Sequence, residues 1–192
     1  MATVTKSLIR PAEGFRSREA ASFLAQMDDQ SRRLGEALSG MTPQELEWQP
    51  APGMNTIGML LAHLAIVEVW WSQIALSRLE KLDTRPVLGI GEDDDGMPLD
   101  PDAAAPAHLK GKSLTYYEDL LARARVYLRD AAIKMPESDL DREVTRTRPD
   151  GTERVFNVRW VMYHILEHFA GHFGQILLLR HHYRATVESP SR

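Results

Sequence analysis

Three histidines stand at positions where an amphipathic helix would normally carry leucine. His168 and His172 are four residues apart in the middle of the apolar stripe of the last predicted helix, and His63 is central on the stripe of the second. Side chains four residues apart share one helix face, with Cβ atoms about 5–6 Å apart. Two facing helices would therefore present three imidazoles to each other. Imidazole is a ligand for zinc, nickel, copper and iron, and three such ligands leave a coordination position open for water or a substrate.

The alternative is that each histidine is an ordinary core residue with its own hydrogen-bond partner. Burying an imidazole without a partner costs about 1–3 kcal/mol. A shared metal would remove that cost for all three rings, so the pattern favours a metal site with His63, His168 and His172 as ligands. His164 continues the four-residue spacing but lies at the edge of the stripe, and we expect it not to be a ligand.

Four predicted helices must position these histidines. Apolar residues recur every three or four positions over residues 17–38, 56–77, 115–135 and 158–182. Asn55 or Thr56 can cap the second helix and Asn157 the fourth. Residues 144–155 alternate around Pro149-Asp150-Gly151, which predicts a short β-hairpin before the last helix. The sequence therefore predicts an all-α fold, a four-helix bundle with one hairpin.

A long irregular connection, residues 82–113, joins the second and third predicted helices. A loop of this length is usually functional or disordered, and its use as a lid stays open. Its acidic run, residues 92–95, does not fit a calcium loop, because Gly91 stands where the first carboxylate ligand belongs. We interpret the run as a solvated charge cluster.

Other polar residues should face away from the core. Glu68 and Ser72 lie opposite the stripe of the second helix, and Arg125 lies on the outward side of the third. Trp70 and Trp71 are adjacent, so at least one of them leaves the central stripe. The spare apolar surface that this implies predicts a homodimer.

Length and composition exclude several classes of protein. The 192 residues suit a single domain over 1–192, with an N-terminal extension at 1–16 and a C-terminal tail at 184–192. The absence of cysteine excludes a disulfide scaffold, a Cys-ligated zinc finger and a cysteine nucleophile. A net charge of −4 argues against a nucleic-acid partner. With no export signal and polar residues interrupting the most apolar stretch, we expect no membrane association and a cytoplasmic location.

Three segments resemble the DinB-like superfamily of helical metalloproteins. They are Trp48-Gln-Pro-Ala-Pro-Gly, Asn55-Thr-Ile-Gly-Met-Leu-Leu-Ala-His63-Leu, and His164-Ile-Leu-Glu-His168-Phe-Ala-Gly-His172-Phe-Gly-Gln-Ile. The lead-in Val158-Arg159-Trp160 and the His-x-x-x-His-x-Gly-Gln ending resemble the branch related to thiol-dependent transferases. The resemblance extends over residues 23–180.

The resemblance implies the same three ligands, His63, His168 and His172, together with bound zinc or nickel and frequent dimerisation. It also implies a small-molecule substrate, because relatives include transferases that use thiols such as mycothiol or bacillithiol, a maleylpyruvate isomerase, and proteins described as hydrolases. A thiol would have to arrive as co-substrate, since the chain has no cysteine. Phe173 departs from the family pattern, in which a basic residue commonly precedes Gly-Gln. The function that the resemblance implies is therefore that of a metal-dependent enzyme, a thiol-dependent transferase or a hydrolase that acts on a small molecule. The alternative is a non-catalytic stress protein that binds a metal or a small molecule.

Overall fold

The computed structural model describes residues 6–147 and 150–188, and most of these residues are helical. The elements in chain order are α1 (Arg18–Leu38), α2 (Pro43–Glu47), α3 (Ile57–Trp71), α4 (Arg85–Leu88), α5 (Leu114–Lys134), β1 (Glu143–Thr147), β2 (Glu153–Asn157) and α6 (Val158–Tyr183). Single π-helical turns follow α3 and α6. The predicted helical class and the hairpin before the last helix are confirmed. Pro149 of the predicted turn, and the ends of the predicted extension and tail at 1–5 and 189–192, lie outside the described residues.

Side-chain caps explain where the two histidine-bearing helices begin. The Thr56 hydroxyl accepts a hydrogen bond from the Met59 N–H at 3.1 Å, at the start of α3. The Asn157 side chain accepts from the Trp160 N–H at 2.8 Å, at the start of α6. Each cap satisfies a backbone donor that has no partner within the helix. Both caps are among those that the sequence predicts, so the register of α3 and α6 follows from local chemistry.

The core lies between the four long helices α1, α3, α5 and α6. α3 packs against both α5 and α6, while α1 packs against α6 and α5. α3 and the turn after it, Ile57–Leu76, are long and apolar enough to cross a membrane by composition alone, but most of this stretch is buried inside the protein. A helix that is apolar on all sides is typical of a central core helix.

The prediction that Glu68, Ser72 and Arg125 face solvent is wrong. Glu68 is 2% exposed and Ser72 is fully buried, because the side of α3 opposite its histidine packs against α5. Arg125 of α5 donates from Nε and Nη2 to the two carboxylate oxygens of Glu68, at 2.7 and 3.1 Å, and from Nη1 to Asp28 of α1. A bidentate ion pair lets both charges leave water together.

The tryptophan pair does not provide the exposed apolar surface that the sequence predicts. Trp70 and Trp71 are both half-buried. The ring of Trp71 lies 5.2 Å from Phe156 of β2, and the Arg146 guanidinium of β1 lies 4.3 Å from the centroid of Trp70. The hairpin therefore covers the C-terminal end of α3. The sequence prediction considered each helix alone, so it left one of the two tryptophans exposed.

The connection between α3 and α5 is folded onto the protein. Besides α4 it contains a short 3₁₀ turn, Ala107–Leu109, so the predicted irregular stretch has local structure. The Gln73 side chain both donates to the Asp83 carbonyl, at 2.7 Å, and accepts from the Asp83 N–H, at 3.0 Å. His108 Nε2 lies 2.6 Å from the Asp94 carbonyl oxygen. The Gln73 bonds hold the start of the connection to the turn after α3, and the His108 contact joins two parts of the connection to each other.

Candidate metal centre

The structure brings the three predicted histidines together between α3 and α6. His63 Nε2 lies 3.0 Å from His168 Nε2, and His172 Nε2 lies 3.1 Å from the same atom. One ring nitrogen of each residue falls within 4.8 Å of the others, and the group can hold a metal ion. His164 lies outside this group. Its ring stacks on Trp160, with centroids 4.8 Å apart, and its Nδ1 lies 3.0 Å from a carboxylate oxygen of Glu167.

The sequence predicts that the two histidines of α6 lie at the centre of its buried face, but in the structure they lie at the edge of that face. The buried side chains of α6 include Phe169 and Phe173, whereas His168 and His172 are half-buried. The large aromatic rings fill the core, so the helix is rotated and its histidines lie on the flank that faces α3. This position leaves the imidazoles in contact with the protein surface, where a small molecule can reach them.

Two neighbouring side chains hold the ring protons on the outer side of the cluster. His63 Nδ1 lies 2.8 Å from Asp95 Oδ2, and His172 Nδ1 lies 2.8 Å from Gln175 Oε1. An oxygen acceptor at that distance requires the proton on Nδ1. The Nε2 atoms of both rings then carry lone pairs that point toward His168.

This proton arrangement fits a cation better than it fits hydrogen bonds alone. His168 has a single Nε2 proton at most, so it can satisfy only one of its two Nε2 neighbours. A divalent metal accepts a lone pair from all three rings. Zinc–nitrogen bonds of about 2.0–2.1 Å at a tetrahedral angle separate their nitrogens by about 3.3 Å. The two distances to His168 Nε2, 3.0 and 3.1 Å, are therefore within a few tenths of an ångström of the nitrogen–nitrogen separation in a zinc site, and the whole set lies within 4.8 Å.

The environment also keeps the rings in the neutral form that a metal ligand needs. Burial, and then the charges of His172, His63 and His164, lower the pKa of His168 from 6.5 to about 3. Burial is also the main reason that the pKa of His172 is lowered. Protons therefore compete weakly with a metal for these two nitrogens at neutral pH.

Asp95 is a site residue that the sequence analysis missed. The carboxylate is buried, 1% exposed, so the prediction of a solvated charge cluster is wrong at this position. It holds for Glu92 and Asp93, which are exposed. No local spacing separates Asp95 from its acidic neighbours, because its partner His63 is 32 residues away. Gln175 carried a clearer signal, since it follows His172 by three residues and so shares its helix face.

A cavity of about 200 Å³ opens beside the cluster, and we call it the His63 pocket. Its wall is apolar and its rim is acidic, with Ile66, Val67, Trp70 and Met97 on the wall and Glu92, Asp93 and Asp95 among the acids. Trp70 is fixed there because its Nε1 donates to Glu92 at 2.8 Å. A second cavity, of about 280 Å³, lies between α1 and α5. No histidine is among the described residues that line it, so the His63 pocket is the better candidate for a substrate.

Comparison with known proteins assigns the chain to a family. Residues 22–185 match the family model described as Mycothiol-S-transferase, which is DinB-like. No curated protein matches the chain. The match includes all three clustered histidines and the long helices that carry them. The resemblance to the thiol-transferase-related branch is thereby confirmed, and the chain belongs to the mycothiol-S-transferase family.

Proposed function

We propose that the protein is a metal-dependent S-transferase that joins a low-molecular-weight thiol to a small electrophile. The convergence of the three imidazoles, with the Nε2 atoms of His63 and His172 at 3.0 and 3.1 Å from His168 Nε2, carries the proposal in a chain of this family. His63, His168 and His172 would hold zinc or nickel. The long helices α1, α3, α5 and α6 would form a DinB-like four-helix bundle in one domain, and the protein would act in the cytoplasm.

The residues of the chain prepare the site rather than supply the nucleophile. A bound divalent metal supplies Lewis acidity, which favours the deprotonated form of a coordinated thiol at neutral pH. Asp95 and Gln175 orient two imidazoles, and burial keeps His168 neutral. In the reaction a sulfur–carbon bond forms as the bond from carbon to the leaving group breaks, and the thiol proton and the leaving group depart to solvent.

The His63 pocket would hold the electrophile beside the sulfur. Its apolar wall excludes water from one side of the reacting carbon, and the Trp70 indole offers a flat surface for an apolar or aromatic group. The pocket is open and small, which suits a small molecule rather than a polymer. The chain itself has no cysteine, so the sulfur must come from the co-substrate.

The proposal is tested with untagged protein that is stripped of metal and reloaded with zinc or nickel. Mycothiol and a bimane-type alkylating probe are supplied, and the thioether product is measured by mass spectrometry. We expect metal-dependent product formation that His168→Leu abolishes, whereas His182→Ala, an exposed histidine on the same helix, retains it. Trp70→Ala should raise KM for the probe more than it lowers kcat.

Two other outcomes would contradict this function. Consumption of an activated ester without any thiol, and no thioether product, would identify a hydrolase. Stoichiometric metal binding without turnover of any thiol and electrophile pair would favour a non-catalytic binding protein. Both results leave the metal site intact and overturn only the reaction.

A further inference from the structure

Asp95 is a buried carboxylate whose two oxygens have different partners. Oδ2 lies 2.8 Å from His63 Nδ1, and Oδ1 accepts a hydrogen bond from the Met97 N–H at 2.9 Å. The residue is 1% exposed. Removing a carboxylate from water is unfavourable unless a donor compensates it. The ring N–H of His63 is that donor, so the position of the loop and the orientation of the imidazole depend on one another.

The backbone beside Asp95 is built for this contact. Gly96 has φ +73°, and a Cβ atom at that position would lie 2.3 Å from Cγ of Pro106. Only glycine accepts both the left-handed conformation and the close approach. The acidic run therefore turns sharply at residue 96, and it carries the carboxylate of residue 95 inward while Glu92 and Asp93 stay exposed.

His63 and His172 differ in the acceptor that holds their ring protons. The acceptor at His172 is the amide oxygen of Gln175, which is neutral and exposed. The acceptor at His63 is an anion shielded from water. An anionic acceptor fixes the Nδ1–H tautomer more firmly and increases the electron density at the opposite nitrogen. His63 is therefore the ligand whose binding strength the protein adjusts most directly.

We infer that Asp95 is a positioning residue of the metal centre, which keeps the Nε2 lone pair of His63 directed at His168 and adds one negative charge beside the site. The part of this inference that concerns metal affinity rests on the proposed function. The part that concerns the His63 tautomer does not, because the contact joins two side chains of the protein itself.

The tautomer is tested first, in metal-free full-length protein, by long-range ¹H–¹⁵N correlation spectra of the histidine rings. The variants are Asp95→Asn, which keeps the side-chain size, Asp95→Ala, and, as a matched control, Asp102→Asn, an exposed aspartate in the same connection that does not line the His63 pocket. We expect the Nδ1–H form of His63 in the wild type and in the control, and a shift toward Nε2–H in Asp95→Ala. A wild-type His63 that carries its proton on Nε2, or an unchanged tautomer in Asp95→Ala, would overturn the inference.

Metal affinity is tested next by competition of cobalt(II) with a chromophoric chelator, together with the visible spectrum of bound cobalt. We expect about 10–100-fold weaker binding in Asp95→Ala, a smaller loss in Asp95→Asn, and shifted absorption bands in both. Asp102→Asn should match the wild type. Equal affinities and spectra in all four proteins would overturn the role of Asp95. A wild type that binds no cobalt would instead overturn the proposed metal site, and the ring spectra would still decide the tautomer.

Discussion

The chemistry of single residues determines what the histidine cluster can do. His168 contacts two other Nε2 atoms and has a proton for one of them at most, so it is the ring with the least satisfactory partners in the metal-free state. A histidine in a position that leucine can fill contributes little to folding by itself. Residues of this kind are retained where a site needs them, at some cost in stability.

We expect His168→Leu to separate metal binding from folding. In the presence of a chelator the variant should be as stable as the wild type, or more stable by up to about 1–3 kcal/mol, because an unpaired polar ring has been removed. With metal at 100 times its Kd, the wild type should gain about 2.7 kcal/mol that the variant cannot. Paired thermal melts measure both states. If the chelated variant loses several kcal/mol, His168 is a hydrogen-bonded core residue.

The folding stability of the metal-free protein should depend on pH through the protonation of the same ring, that of His168. The pKa of His168 is about 3 in the folded protein and near 6.5 in the unfolded chain, so the unfolded chain takes up its proton first as the pH falls. The contribution of His168 to the free energy of unfolding is therefore fully present above pH 6.5. It decreases as the pH falls toward 3, by at most about 1.4 kcal/mol per pH unit.

Urea unfolding between pH 7.5 and pH 5 checks this sign, because ordinary carboxylates titrate mainly below that range. His168→Leu should show a shallower loss of stability than the wild type over the same interval. Identical pH profiles for the two proteins would mean that His168 is already protonated, or exposed to water, in the folded state.

At the scale of elements, α3 shows what a sequence can and cannot predict. Its N-cap at Thr56 and its His63 follow from local patterns, because a cap and a helical spacing need only neighbouring residues. Its buried Glu68 does not, because the compensating Arg125 lies on another helix. Asp95 was missed for the same reason. Local signals therefore identified the three clustered histidines, whereas the partners that orient or compensate charged groups came from tertiary contacts.

Breaking the buried ion pair between α3 and α5 should lower the free energy of unfolding substantially. Glu68→Ala leaves the Arg125 guanidinium, 12% exposed, without its bidentate partner, and we expect a loss of about 3–5 kcal/mol in the free energy of unfolding. The control is Asp29→Ala, which breaks the pair with the exposed Arg32 and should cost less than about 1 kcal/mol. Denaturant titration compares them. Similar small losses in both variants would show that the buried pair contributes no more than a surface pair.

For the molecule as a whole, α6 carries three large exposed hydrophobic side chains, more than any other long helix of the described residues. Tyr163, Leu177 and Leu178 are 58, 45 and 57% exposed. Gly171 and Gly174 lie between them, with open space around their Cα atoms that allows a second helix to approach closely. This face, and not the tryptophan pair, is where we place the predicted dimer contact.

We therefore expect the protein to be a homodimer in solution. Light scattering coupled to size-exclusion chromatography should give about twice the chain mass of 21.7 kDa at micromolar concentration. Leu178→Glu should shift the protein to the monomer, while Val126→Glu, at a similarly exposed position on α5, should not. A wild-type mass near 21.7 kDa would reject the dimer.

We predict that one divalent metal is bound by His63, His168 and His172. Anomalous scattering at the zinc and nickel edges, from crystals of untagged protein reloaded with metal, tests this claim most directly because it identifies both the element and its ligands. We predict one anomalous peak per chain, at about 2.0–2.1 Å from the Nε2 atoms of the three histidines. The absence of an anomalous peak at the three histidines, or a metal ion bound by other residues, would show that the three histidines do not form the metal site.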